Sequence, residues 1–504
     1  MEWSEKTAAA ISEWICDERD ERPIDGEFAL PDYCPEVAAV LKCLVEPLIQ
    51  TRQMAGDRVV AEGTVLIRVL YLDEERTQVH ACDFSQPFTS TFVLKKGVGS
   101  APSCDISART EYVNCRATGP RRLDIHGAFS VRLRMLCAGT AALLSPPDGD
   151  DLCVCTHTAD TTVPAAAAEK SFTVSEVLDI GGRAPIAALL RTGCAIQAEL
   201  PTRLPGKLVL KGLLTLDNIY RTETGEIESV THEIPFDQLL DIDGLKEDWL
   251  CDVRPSVSAR DIRVTPNQAG ANMLLSVTLK INVGVTAYAA GQATAVTDAF
   301  SARFPVKAEK KRIVFTALRD IDTTRHTIRE QVELPEDIDR VLDVWTDAPT
   351  PAQCRSEDGA AVCGHLNMFM LARDRSGQIG YYERTAEYRL PVPEAEGERE
   401  CRVTPPHTDF TPGSGTLSVT VTLTLTCLRQ TEEAVDCLTA LSADEAAAYP
   451  PRRASLKLYY AAAGESVWEI AKTCRAPLSA ITEENGLTAD TVPEDRLLLI
   501  PLTV

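Results

Sequence analysis

Apolar and polar residues alternate along much of this chain with the two-residue period of half-buried strands. Thr64–Tyr71 and Leu213–Tyr220 are clear runs, and 366–372 keeps the alternation but lacks the terminal tyrosine. Longer runs cover 123–133, 273–281 and 416–425. β-Branched, aromatic and leucine side chains fill them, as a pleated, half-buried surface requires. The runs recur at fixed distances. Gly63, Gly212 and Gly364 each open a strand and stand 149 and 152 residues apart. Leu41, Leu190 and Leu342 lie 22 residues before each glycine, at the end of an apolar stretch marked by Pro31, Pro185 or Pro335. Each stretch reads as a short helical turn with proline near its start, where a missing N–H costs least. About 24 residues after each glycine come Pro87-Phe88, Pro235-Phe236 and Tyr388-Arg389-Leu390. Matched landmarks at one period predict three copies of one unit. Many short strands separated by turn residues predict a β-sandwich in each.

The flanking segments read differently. Trp3, Ala10 and Trp14, with Ile11 and Ile15, fall near one face of a short helix predicted over residues 1–20. The stretch 138–170, with Pro146-Pro147-Asp148-Gly149-Asp150-Asp151 and the Ala165–Ala168 run, reads as a loop-rich join with one strand near Leu152–Cys155. Residues 431–453 are Ala-rich and acidic and end near Pro450-Pro451, which predicts a short helix and then a hinge.

The last fifty residues change period. Leu456–Tyr460 is a strand, and Ala463-Gly464-Glu465-Ser466 a turn in which Ser466 can cap a helix over 467–472. A second helix over 477–484 stops at Asn485-Gly486-Leu487, since Asn and Gly accept the left-handed conformation. Arg496–Pro501 is a closing strand. The fold class is therefore mainly β: three tandem sandwich-like repeats over 21–150, 151–320 and 321–430, a linker over 431–453, and a small α+β (βααβ) domain over 454–504.

Composition narrows the function. The formal net charge of −23 lacks the clustered Lys and Arg that nucleic acid or an anionic membrane surface demands, so no nucleic-acid partner is expected. The chain starts without the basic-then-apolar pattern of a secretory signal, and no apolar stretch nears 18 residues. A cytoplasmic protein with no transmembrane segment is the expectation. The seventeen cysteines are dispersed without a CxxC pair, which predicts reduced, mostly buried thiols rather than a zinc site. Phosphate-loop, GxGxxG, HExxH and GxSxG patterns are absent, and the seven histidines share no metal-ligand spacing. The expectation is a protein that is not an enzyme and carries neither cofactor nor metal.

Gly464-Glu465-Ser466-Val467-Trp468-Glu469-Ile470-Ala471, Asn485-Gly486-Leu487 and Leu499-Ile500-Pro501 together resemble a LysM domain. That resemblance implies binding of N-acetylglucosamine polymers, peptidoglycan or a chitin-type glycan, in a shallow groove. The groove residues it implies are Gly464, Glu465, Ser466, Val467, Asn485, Gly486, Leu487 and Pro493. Charge reversal at Glu465 or Asn485 is expected to weaken partner binding without loss of stability. Pro31-Asp32-Tyr33-Cys34-Pro35-Glu36, followed by Asp57–Val65 and Val69-Leu70-Tyr71, resembles the SPOCS domain of the SipL-like spore-coat assembly family. This second resemblance implies a spore-envelope scaffold in the mother cell, at the forespore surface, with a SpoIVA-like coat ATPase as partner. A wall-associated glycan-binding protein and a LysM-anchored wall enzyme are the competing classes.

Overall fold

Long strands frame each repeat of the computed structural model. It describes every residue except 1, 4, 96, 98–99, 147–151, 349–351, 357–358, 393–396, 405–406, 451, 453 and 503–504. The core of the expected loop at 147–151, and Pro451 of the expected hinge, lie outside the described residues.

After a two-residue strand, β1 (Glu2–Trp3), the first repeat runs through β2 (Lys6–Ala29), β3 (Ala39–Ala55), β4 (Arg58–Leu72), β5 (Val79–Val93), β6 (Ser100–Gly119) and β7 (Arg122–Leu144). The second contains β8 (Leu152–Asp179), β9 (Ile186–Ala198), β10 (Thr202–Leu204), β11 (Lys207–Thr222), β12 (Ile227–Asp241), β13 (Leu250–Thr265) and β14 (Leu274–Ser301). The third contains β15 (Val306–Glu333), β16 (Ile338–Asp347), β17 (Ala352–Ser356), β18 (Gly359–Asp374), β19 (Ile379–Pro391), β20 (Glu398–Val403), β21 (His407–Pro412) and β22 (Thr416–Ala443).

Each repeat builds two antiparallel sheets in the same way. A long sheet pairs the first and last strands, as β2–β7–β6, β8–β14–β13, or β15–β22 with β20 and β21. A short sheet has β4, β11 or β18 at its centre. Inward side chains of the two sheets form one core per repeat. In the second, Leu208, Leu210, Leu214 and Leu216 of the short sheet meet Leu275, Val277, Leu279 and Ile281 of the long one. This is the expected sandwich.

The repeat glycines do not open strands; each sits six residues into the central strand of its short sheet. The proline-marked stretches are turns that lead into β3, β9 and β16, not helices. Their leucines anchor the packing between repeats instead. Leu190 and Leu342, with Leu41 against them, join Leu70, Ile219, Leu371, Val79, Ile227 and Ile379 in one apolar cluster. These are equivalent positions of the three repeats. A second cluster gathers Ala141, Ala293 and Val435 with their strand partners Ala9, Ala159 and Ile313, and adds Leu143, Ala295 and Cys437. Equivalent residues meeting at two separate places define a pseudo-threefold arrangement within a single chain.

That second cluster overturns several expectations. Residues 6–29 form a strand paired along its length with β7, from Lys6 opposite Leu144 to Ala29 opposite Arg122 with one bulge at Trp14–Cys16, and not a helix over 1–20. Tertiary pairing outweighs the weak helical preference of this segment. Residues 431–443 continue β22, paired with β15 from Thr431–Ala317 to Ala443–Val306, so no linker begins at 431. The predicted helix there reduces to one 3₁₀ turn, Glu445–Ala447, capped by Asp444. The Ala165–Ala168 run belongs to β8 rather than to a loop. Boundaries expected at 320/321 and 430/431 fall inside β15 and β22. Small residues in these segments let three two-stranded ribbons approach closely, which composition alone reads as loop.

The C-terminal unit has the expected order: β23 (Leu456–Ala461), α1 (Val467–Cys474), α2 (Leu478–Asn485) and β24 (Arg496–Pro501), with β23 antiparallel to β24. Its core of Val467, Ile470, Ala471, Ile481, Leu498 and Ile500 also includes Phe300 of β14.

Candidate functional site

The eight predicted groove residues divide into two groups. Gly464 takes φ +82° in the turn before α1 and donates its N–H to Val492 O at 2.8 Å. Glu465 accepts from the Tyr459 hydroxyl at 2.5 Å and from Ala462 N at 3.1 Å. Ser466 caps α1, Val467 is buried, and the Val467 and Val492 amides bond to Asp490 O and Glu465 O. The first loop is thus zipped to residues 490–495, which brings exposed Pro493 beside Gly464 and Glu465.

Asn485, Gly486 and Leu487 do different work. Asn485 donates to Ile481 O at 2.8 Å and Leu499 O at 2.6 Å, and accepts from Leu499 N at 2.7 Å. It fixes α2 to β24. Gly486 is the left-handed C-cap with φ 60°, and Leu487 is core. Asn485 is therefore a structural strut, which corrects the expectation that its charge reversal would spare stability. An exposed rim remains at Ala462, Ala463, Gly464, Gly486, Thr488 and Pro493.

The unit is seated on the second repeat. The indole N–H of Trp468 and the ammonium of Lys472 both donate to Asp298, at 2.9 and 2.6 Å, and the Trp468 ring meets Phe300 edge-on at 5.1 Å. Burial pushes the Asp298 carboxyl up, but these two donors prevail and hold it below the usual range. Arg452 ties the incoming chain to the end of α1 through Cys474 O and Arg475 O.

The opposite side of the two-stranded sheet is bare. Along β23, Lys457, Tyr459 and Ala461 alternate with Leu456, Leu458 and Tyr460, and only the latter three point away from the helices. With Leu497 of β24, they are 48–68% exposed. Lys457 reaches Cys474 Sγ at 3.4 Å on the helix side. The sequence marked this strand but not which of its faces turns outward. Contiguous exposed apolar surface is unusual away from interaction sites.

Inner faces of the repeats are occupied by each other. Between the first and second, Arg260 pairs with Glu46 at 2.7 Å, Arg52 with Glu169 at 2.7 Å, and Arg254 with Asp105 at 3.2 Å. Between the second and third, Arg191 pairs with Asp343 at 3.4 Å, His407 with Asp217 at 3.3 Å, and Arg402 with Asp252. Lys42–Glu383 and Arg134–Glu400 close the third contact. All but Arg134–Glu400 contribute at least one residue to the wall of a chamber of about 2120 Å³ lined by all three repeats. Burial pushes the Asp343 carboxyl up to about 6 despite Arg191 beside it.

Two further findings bear on chemistry. Among the described residues, no three His, Cys, Asp or Glu side chains converge as a metal cage. Among the described residues, fifteen cysteines are free thiols, but Cys363 stands in a disulfide, which corrects the expectation of reduced thiols at that position.

Two antiparallel sheets per repeat, used three times in one chain, define the class as a tandem β-sandwich protein. Residues 36–118 and 185–265 match the family model described as SipL, SPOCS domain. The two matches support a SipL-like protein with repeated SPOCS domains, and that domain suggests a sporulation-related protein. The matched stretches cover the short sheet and the flanking strands β6 and β13, leaving out the long strands β2, β7, β8 and β14. The third repeat lies outside them and is related to the others by its fold. No curated protein and no solved structure matches the chain. Among the described residues, no helix is long and apolar enough to cross a membrane.

Proposed function

We propose that this protein is a non-enzymatic scaffold of spore-envelope morphogenesis. In this reading it sits in the mother-cell cytoplasm at the forespore surface. Its SPOCS repeats form the body, and the C-terminal unit, read as LysM-like, recruits or tethers a SpoIVA-like coat basement-layer ATPase. The observation that carries the reading is the outward stripe of Leu456, Leu458, Tyr460 and Leu497 on a unit whose other side is anchored to the second repeat. A surface that is apolar, exposed and held by a fixed base suits a protein partner better than a sugar chain.

A second reading, binding of peptidoglycan or a chitin-type glycan, draws on the exposed rim around Gly464, Gly486 and Pro493. The test uses the full chain, because deleting residues 454–504 would bare Phe300 and leave Asp298 without its partners. Wild type, Leu458→Glu/Tyr460→Glu and Ala462→Glu are each offered the SpoIVA-like ATPase and, separately, purified peptidoglycan. The scaffold reading expects ATPase binding that only the double variant loses, at unchanged melting temperature. Retention on peptidoglycan alone, lost in Ala462→Glu, would install the second reading. ATPase binding indifferent to both variants would remove the C-terminal unit from recruitment.

A further inference from the structure

One pair of thiols in this protein is placed to bond. Cys401 on β20 and Cys427 on β22 stand directly opposite each other in the antiparallel ladder, with their sulfurs 2.7 Å apart. We infer that Cys401–Cys427 is an oxidative modification site, a dithiol that a peroxide closes to a disulfide within the folded chain.

Geometry carries the inference. Directly opposed residues of an antiparallel pair have Cα atoms about 4.5–5.5 Å apart, inside the span of about 4.4–6.8 Å that a disulfide bridges. Closing Cys401–Cys427 to a bond of about 2.05 Å moves the sulfurs together by about 0.7 Å, well within side-chain freedom.

The pair also divides the labour of oxidation. Cys401 is partly exposed, whereas Cys427 is buried. The contact with Cys427 holds the Cys401 thiol below its ordinary range, and the same contact and then burial push Cys427 up. The exposed member therefore supplies the thiolate nucleophile, and the buried member resolves.

The step balances with hydrogen peroxide as oxidant. The Cys401 thiolate attacks one peroxide oxygen, the O–O bond breaks, and the departing hydroxide takes a proton to become water. The Cys427 sulfur attacks the resulting sulfenic acid, loses its proton and expels a second water as the S–S bond forms. Two thiols lose two electrons, and peroxide is reduced to two waters.

The experiment uses the whole reduced chain, freed of reductant and exposed to graded hydrogen peroxide. It is then blocked with N-ethylmaleimide in denaturant and mapped by mass spectrometry of its peptides. The expected result is a linked Cys401–Cys427 peptide at peroxide levels where Cys16 and Cys437 still take maleimide fully. Dithiothreitol should restore the free peptides. Cys427→Ser should leave Cys401 as a sulfenic acid that dimedone traps. Links spread statistically over the cysteines, links only between chains, or Cys401 overoxidised while wild-type Cys427 stays free would overturn the assignment.

Discussion

Phe236 lies directly across the ladder from Gly212, with its ring over the bare backbone, so that a methyl group built on Gly212 would sit 2.4 Å from the ring. Gly63 and Phe88 repeat the relationship in the first repeat, and Gly364 and Tyr388 in the third. The two landmarks that define the sequence period are thus one structural device seen twice. The aromatic ring covers a strand glycine, and the glycine makes room for the ring.

The device predicts different rescue at two sites. At Gly212 a methyl group would also meet Gln197 O at 2.5 Å, whereas at Gly364 its three nearest contacts among the described residues are all with the Tyr388 side chain. Gly212→Ala and Gly364→Ala should each cost about 1–3 kcal/mol or more by overpacking. In double-mutant cycles, Tyr388→Leu should recover much of the cost of Gly364→Ala, while Phe236→Leu recovers little of that of Gly212→Ala. Urea unfolding measures both couplings, and equal rescue would contradict the carbonyl contact.

Asn485→Ala should destabilise the C-terminal unit. It removes three hydrogen bonds and leaves the Leu499 amide and carbonyl without their partner. An unmade buried bond costs about 1–3 kcal/mol, so a loss in the upper part of that range is expected. Hydrogen exchange at Leu499 reads it locally. Unchanged protection would mean that the amide is held by something else.

Seating of the C-terminal unit should depend on acid. Asp298 is held below the ordinary carboxylate range in the folded chain, while unfolded Asp titrates near about 3.9. Its contribution is therefore fully present above about pH 4 and is lost as pH falls through the folded value. Asp298→Asn should loosen the seating at neutral pH and flatten this dependence. Proteolysis of the segment joining β22 to β23 reports the change, faster in the variant at pH 7 and converging with wild type in acid.

Asp343 should act with the opposite sign. Its folded value of about 6 lies above the unfolded one near about 3.9, so the folded chain binds the extra proton between them. Wild-type stability relative to Asp343→Asn should fall as pH rises from about 4 to 6, and then level off. Because Arg191 loses a charged partner in the variant, the absolute offset is uninformative and the slope is the readout. A flat difference across that window would mean that Asp343 stays ionised.

Much of the fold was legible. The repeat spacing, the central strands and the βααβ order all stood in the sequence because each of those elements has one face on a core and one in water. The missed parts share a cause. Residues 6–16, 155–168 and 431–443 pack against other repeats, so their burial follows neighbours far away in sequence rather than a local period. Ala9, Ala159 and Ala293 look like loop or helix formers until three ribbons are brought together. At the candidate site, Ser466 and Gly486 were readable as caps, but Asn485 looked available because nothing local reveals its bonds to Leu499.

The sequence by itself determined the period of the repeats, their two-sheet composition and the helical signature of the last fifty residues. Those properties rest on local alternation, on glycine and proline, and on capping, which act over a few residues. Only the tertiary structure decided that the repeats close on each other around a chamber, that the C-terminal unit rests on Asp298 and Phe300, and that its outer strand turns leucine and tyrosine to solvent. Each of these depends on which surfaces meet across more than a hundred residues of chain, where the free energy of packing and charge pairing, rather than local preference, selects the arrangement.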